Sequence, residues 1–179
     1  MRHVYFITHP EVIVDAAVSV PDWSLSERGL ERMQLATKQS WVSELTSLYC
    51  STEKKAIDGA NVLAEYCALP IQAIEDLGEN DRSSTGYLPA NEFETVADQF
   101  FAAPQTSIRG WETAETAQVR IVNAVTKLID EDQSDGAIAI VSHGAVGTLF
   151  MCHLANYSID RRYDQPGGGG GNYFAFELA

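Results

Sequence analysis

Short unbroken apolar runs alternate along this chain with longer stretches in which apolar residues recur at helical spacing. "HVYFI" (3–7) and "AIAIV" (137–141) are runs of β-branched, aromatic and small residues, stopped by Pro10 and by "SHG". Their length and composition predict buried strands. "SLYCS" (47–51) and "IQAIE" (71–75) are weaker strand candidates, and "NYFAFEL" (172–178) alternates as a final strand should. Between them, Ser26 can cap a helix running to about Ser40, and Ser51 or Thr52 can cap a second, in which Ala56, Ala60, Leu63 and Ala64 form an apolar stripe. Ala114, Ala117, Ile121, Val125, Leu128 and Ile129 place the longest helix at 112–130, and a last one is expected from Gly144 to Ala155. Strands alternating with helices predict an α/β fold, a single three-layer domain over residues 1–179 with a mostly parallel central sheet. Segments 76–91 and 164–172 fit neither pattern. Loops of this length are more often functional than idle, although the glycine run 167–171 serves equally well as a flexible connector.

Composition narrows the function. A chain of 179 residues can bury roughly 70% of its extended surface, enough for a substantial core. The formal charge of −13 disfavours nucleic-acid backbones and anionic membrane surfaces as partners, and requires any anionic ligand to find a local positive pocket. Cys50, Cys67 and Cys152 are odd in number and lack metal-finger spacing. They read as small buried hydrophobes in a reducing cytoplasm. No signal-peptide pattern and no long apolar span is present in the sequence, which also fits a cytoplasmic protein.

In open parallel sheets, ligands bind just beyond the carboxyl ends of the strands. That rule selects His9 and Glu11 after the first strand, Lys54 and Lys55 after the second, Glu79, Asp81 and Arg82 after the third, and Ser142 and His143 after the fourth. Two of the chain's four histidines thus end strands, beside cations and an acid. His3 stands six residues before His9, roughly 20 Å away along a strand, so those two cannot share a metal. Ser142 lacks a G-x-S-x-G setting, and two histidines with scattered carboxylates make a poor metal site. No metal and no cofactor is expected.

These residues carry a resemblance. After the strand ending in His9 come "LSERGLERM" (25–33), "CSTEKKAIDGANVLAE" (50–65), "LGEN" (77–80), "GWET" (110–113) and "IVSHGAVGTLF" (140–150). In order and spacing they resemble the motifs of the histidine phosphatase superfamily, phosphoglycerate mutase-like branch. The resemblance implies a small phosphorylated substrate, with His9 attacking the phosphoryl group and water hydrolysing the phosphohistidine. It makes Glu79, by its place in "LGEN", the proton donor, and His143, if cationic, the stabiliser of the equatorial oxygens. Gly144 would bring the N–H groups of the following helix to the same oxygens.

The chain departs from the family where phosphate is gripped. The family's usual Arg-His-Gly is here Thr8-His9-Pro10, and a second expected arginine is Lys55. A hydroxyl at Thr8 offers only a neutral hydrogen bond, and an ammonium lacks the planar fork of a guanidinium. Two readings follow: an active phosphatase in which Lys55 and Arg82 supply the missing charge, or a non-catalytic relative that binds a phosphorylated or other anionic ligand.

Overall fold

The computed structural model of the protein describes residues 2–178. Five strands form one sheet: β1 (Arg2–Thr8), β2 (Leu45–Ser51), β3 (Ile71–Ile74), β4 (Ala137–Ser142) and β5 (Tyr173–Leu178), in the order β3-β2-β4-β1-β5. Only β5 runs antiparallel, with Arg2 opposite Leu178 and Ile7 opposite Tyr173. All five runs read as strands in the sequence are strands. The helices are α1 (Glu27–Ala36), α2 (Lys54–Cys67), α3 (Ala90–Ala102), α4 (Ala114–Glu131) and α5 (Gly144–Leu154).

The period of a strand divides the core into two layers. Val4 and Phe6 of β1, with Ile138 and Ile140 of β4, face α3, α4 and α5 through Val96, Phe100, Ile121, Val125 and Leu149. Tyr5 and Ile7, with Ala139 and Val141, face α1 and α2 through Met33, Ala56, Ala60 and Leu63. The second face carries smaller residues, and α2 answers with Gly59, where an added Cβ would already lie 3.4 Å from Val141. That fit lets α2 sit close to the sheet and aims its N-terminus at the strand ends.

The sequence reading needs three corrections. α3 was not foreseen: it follows the unassigned 76–91 segment, although Phe93, Val96, Ala97, Phe100 and Phe101 have the spacing of a buried helical face. α1 stops at Ala36 rather than Ser40, and Ser40–Glu44 form a separate 3-10 turn. The cap of α2 is Glu53, whose side chain makes no capping hydrogen bond. Ser51 instead ends β2, and its hydroxyl accepts the Glu53 N–H. Cys50 and Cys152 are buried, and all three cysteines are free thiols. Among the described residues, no helix is long and apolar enough to cross a membrane.

Candidate active site

The carboxyl ends of β1 and β4 are adjacent and in register, Thr8 opposite Ser142. The residues that follow them, His9 and His143, therefore come together: their rings stand edge to face with centroids 5.1 Å apart. β1 stops here because Pro10 has no N–H to continue a ladder. The His9 N–H still donates to the Ser142 carbonyl at 2.9 Å, which fixes the turn outward. The glycine run proves to be part of this corner. Gly170 forms an isolated bridge with Pro10, has φ of +69°, and passes so close that an added Cβ would lie 2.4 Å from the His9 carbonyl oxygen. Only glycine fits there without displacing His9.

His9 Nδ1 lies 2.9 Å from the Pro10 carbonyl oxygen. A carbonyl can only accept, so Nδ1 carries the proton and Nε2 keeps its lone pair. Burial lowers the His9 pKa from 6.5 to about 4, against the Pro10 hydrogen bond and with help from the charges of Lys55 and Arg82. The ring is neutral near pH 7. His143 is fully buried, and burial holds its pKa well below the usual value, against the opposing pull of Glu53. Burial thus works against the cationic form that the resemblance implies, and Glu53 works for it. Its Nε2 meets the Ser51 hydroxyl at 2.6 Å, and its Nδ1 has no partner among the described residues.

Glu79 caps α5. Its Oε2 accepts the Ala145 N–H and its Oε1 the Val146 N–H, each at 3.1 Å, so the helix end that Gly144 was expected to offer to a ligand already holds a carboxyl group. Gly144 itself opens into free space, where an added Cβ would meet nothing within 4 Å. Burial raises the Glu79 pKa, outweighing the Arg82 charge and the two helix N–H groups. The loop bearing Glu79 is pinned by Arg120 of α4, which donates to the carbonyls of Asp76, Gly78 and Glu79 and pairs with Glu112 at 2.9 Å.

The expected phosphate-binding residues are placed less openly. Thr8 is buried, and its hydroxyl donates to Gln165 Oε1 at 2.9 Å. Lys55 is also buried. Its Nζ pairs with Glu53 Oε2 at 2.6 Å and donates to the Val20 carbonyl at 2.7 Å. Arg82 lies with its guanidinium carbon 5.0 Å from the Phe93 ring centre and 5.7 Å from that of Trp111, and takes part in no ion pair among the described residues. Glu11 turns away, accepting from Ser26. Ser142 donates its hydroxyl to the Leu77 carbonyl at 2.7 Å, which leaves it no role as a nucleophile.

Sequence reasoning missed Glu53. One of its oxygens accepts the Glu79 N–H at 2.9 Å and lies 3.5 Å from His143 Nε2, while the other holds Lys55. Burial opposes its ionisation, but His143, the Lys55 ammonium and the Glu79 N–H prevail and lower its pKa to about 2. Asn80 and Gln165 were also missed. Each has a buried amide nitrogen with no partner among the described residues, and both residues line a cavity of about 440 Å³ shared by His9, Glu79, Arg82 and Gly144. A second cavity of about 830 Å³ adjoins it, lined by Glu53, Glu79, Asn80 and Arg82 on one side and by Glu75, Asp76 and Asp81 further out. Among the described residues, no group of three His, Cys, Asp or Glu is placed to hold a metal ion.

A neutral imidazole with one free nitrogen, a second imidazole beside it and a buried carboxyl group on a helix end thus meet at one edge of the α/β sheet. The sequence matches the histidine phosphatase superfamily (branch 1) over residues 4–167, and the chain belongs to that family. Among solved structures it is similar to mycobacterial glucosyl-3-phosphoglycerate phosphatase, with a TM-score of 0.81 at 17% identity, covering 98% of this chain and 89% of that one. That enzyme has also been solved with inorganic phosphate. YhfR of Bacillus stearothermophilus gives a TM-score of 0.78 at 22% identity, covering 100% of this chain and 92% of that one. A phosphoserine phosphatase from Entamoeba histolytica, in complex with 3-phosphoglyceric acid, gives 0.74 at 16% identity, covering 99% and 91%. At these identities the likeness is one of fold. No curated protein sequence matches the chain.

Proposed function

We propose that the protein is a phosphatase that hydrolyses a phosphomonoester through a phosphohistidine on His9. His9 Nε2 attacks phosphorus as the bond to the leaving oxygen breaks, and that oxygen takes the proton of the Glu79 carboxyl group. The ring becomes cationic on phosphorylation, and its Nδ1–H is already directed at the Pro10 carbonyl. Glu79 becomes a carboxylate at the same moment, and the N–H groups of Ala145 and Val146 are in place to receive that charge. Water then attacks phosphorus, gives its proton to Glu79 and releases inorganic phosphate as the N–P bond breaks. His143 backs the nucleophile and has Nδ1 to offer to a phosphoryl oxygen.

The observation that carries this reading is the His9 hydrogen bond to Pro10, because it fixes the one tautomer in which the outward nitrogen is a nucleophile. His9→Ala should abolish turnover of an aryl phosphate while leaving the melting temperature nearly unchanged. Retained turnover would sink the mechanism. A second reading, a non-catalytic anion-binding relative, is favoured by one observation: Lys55 is held by Glu53. It predicts oxyanion binding with no turnover of any phosphomonoester.

A further inference from the structure

Glu53 changes what charge the site can accept. Lys55 stands where the family's second arginine is expected, but its ammonium faces a carboxylate at 2.6 Å and a carbonyl at 2.7 Å, so the cation is already neutralised. The same carboxylate lies beside His143, and Thr8 contributes no charge. Of the cations lining the cavity at His9, Arg161 is held by Glu94 and Asp98. Among the described residues, Arg82 remains as a single positive charge in no ion pair, next to two unpartnered but neutral amide groups. The adjoining larger cavity adds the acids Glu75, Asp76 and Asp81. A doubly charged phosphoryl group would meet one counter-charge, because the Lys55–Glu53 pair adds none, whereas a singly charged one would be matched.

We infer that Glu53 is a specificity-determining residue that restricts this site to phosphoryl groups carrying a single negative charge. The inference rests on the phosphatase reading for the nature of the group and adds its charge state. The groups facing Glu53 are Lys55 from its own helix, His143 at the cap of α5, His9 at the end of β1, and Glu79 and Arg82 from the loop after β3. Burial disfavours the charged forms of His9 and His143, and His143 faces the Glu53 carboxylate at 3.5 Å, so neither adds a second uncompensated positive charge.

The test is calorimetric binding of inorganic phosphate and of sulfate to the full chain at about pH 5.5 and about pH 8.5, either side of phosphate's second ionisation. Sulfate stays doubly charged at both values, so the ratio of phosphate to sulfate affinity cancels titration of the protein itself. In the wild type the ratio should be near one at the higher pH and at least about tenfold at the lower, the smaller end of what one charge within 4–6 Å does to a neighbouring ionisation. Glu53→Gln should raise the affinity for sulfate by about tenfold or more and bring the lower-pH ratio down towards one. A wild-type ratio near one at the lower pH, or a Glu53→Gln protein with unchanged sulfate affinity, overturns the inference. Turnover of an aryl phosphate together with a ratio near one would remove the charge restriction and leave the phosphatase reading standing. The expected ratio with no turnover of any phosphomonoester would do the reverse.

Discussion

Replacing Glu79 with glutamine separates its capping of α5 from the proton donation proposed for it. The carboxyl group accepts from Asn80, Ala145 and Val146. A glutamine keeps one oxygen and turns an NH2 towards the other donor, so one buried N–H loses its acceptor, at a cost of about 1–3 kcal/mol. For a chain of this size each kcal/mol moves the melting temperature by about 2–4 °C. Glutamine also removes the cost of burying an acid, so the fall should lie near the lower end of that range. The catalytic effect should be larger and should depend on substrate, because general acid catalysis is worth about 10²–10⁴-fold only where the departing oxygen needs a proton. The assay is kcat/KM for a series of aryl and alkyl phosphates. Glu79→Gln should slow alkyl esters by about that factor and activated nitroaryl esters by much less. The pH profile supplies a second reading. Burial raises the Glu79 pKa, so the proton-donating form prevails below that value and the rate for poor leaving groups should fall as pH rises through it. Loss of the phosphoryl group's second proton lowers the rate for every substrate, so Glu79→Gln should lose only the additional fall seen with poor leaving groups. Equal losses for every leaving group, with the additional fall for poor leaving groups intact, would show that Glu79 only caps the helix.

Other perturbations test other parts. Arg82→Ala should weaken phosphate binding by roughly ten- to a hundredfold, from the value of about 1.5–3 kcal/mol for a hydrogen bond to a charged group, and Arg82→Lys should restore only part because it loses the planar contact with Phe93 and Trp111. Gly170→Ala should lower kcat more than it lowers the melting temperature, since its Cβ would push on the His9 carbonyl; equal turnover would detach the glycine run from the site. Stability should fall in acid: the folded-state pKa of His9 is about 4 against 6.5, so the unfolded state binds more protons within that window. His143 is shifted in the same direction, and Glu53 extends the loss towards about pH 2 as its carboxylate is protonated. Melting temperatures measured down from neutral pH should begin to drop near pH 6.5, and His9→Asn, which cannot titrate, should flatten the first part of that drop.

Much of the scaffold was readable because a buried strand must be an apolar run and must stop. Pro10 and the "SHG" after β4 mark those stops, and the strand-end rule then delivers His9, Glu79 and His143 to one edge. α3 escaped because its apolar face is diluted by Asn91, Glu92, Glu94 and Asp98 and follows a polar loop. Glu53 escaped for a different reason. Its partners lie two, 26 and 90 positions away, at Lys55, Glu79 and His143, and no local pattern announces a carboxylate that meets all three. The placement of Glu79 on the end of α5, and the hydrogen bond that Thr8's hydroxyl donates to Gln165, are likewise products of tertiary packing. The glycine run left both its readings open in the sequence, and the positive φ values from Gly168 to Gly171 resolve it as a shaped turn against Pro10.

The proposed mechanism requires a covalent bond from phosphorus to His9, and the direct measurement is mass spectrometry of the protein quenched in alkali during turnover of an aryl phosphate. The expected result is one added phosphoryl group on the peptide containing His9, stable in base, lost in acid, and absent from His9→Ala. A phosphoryl group that survives acid, or one found on any residue other than His9, would contradict the account.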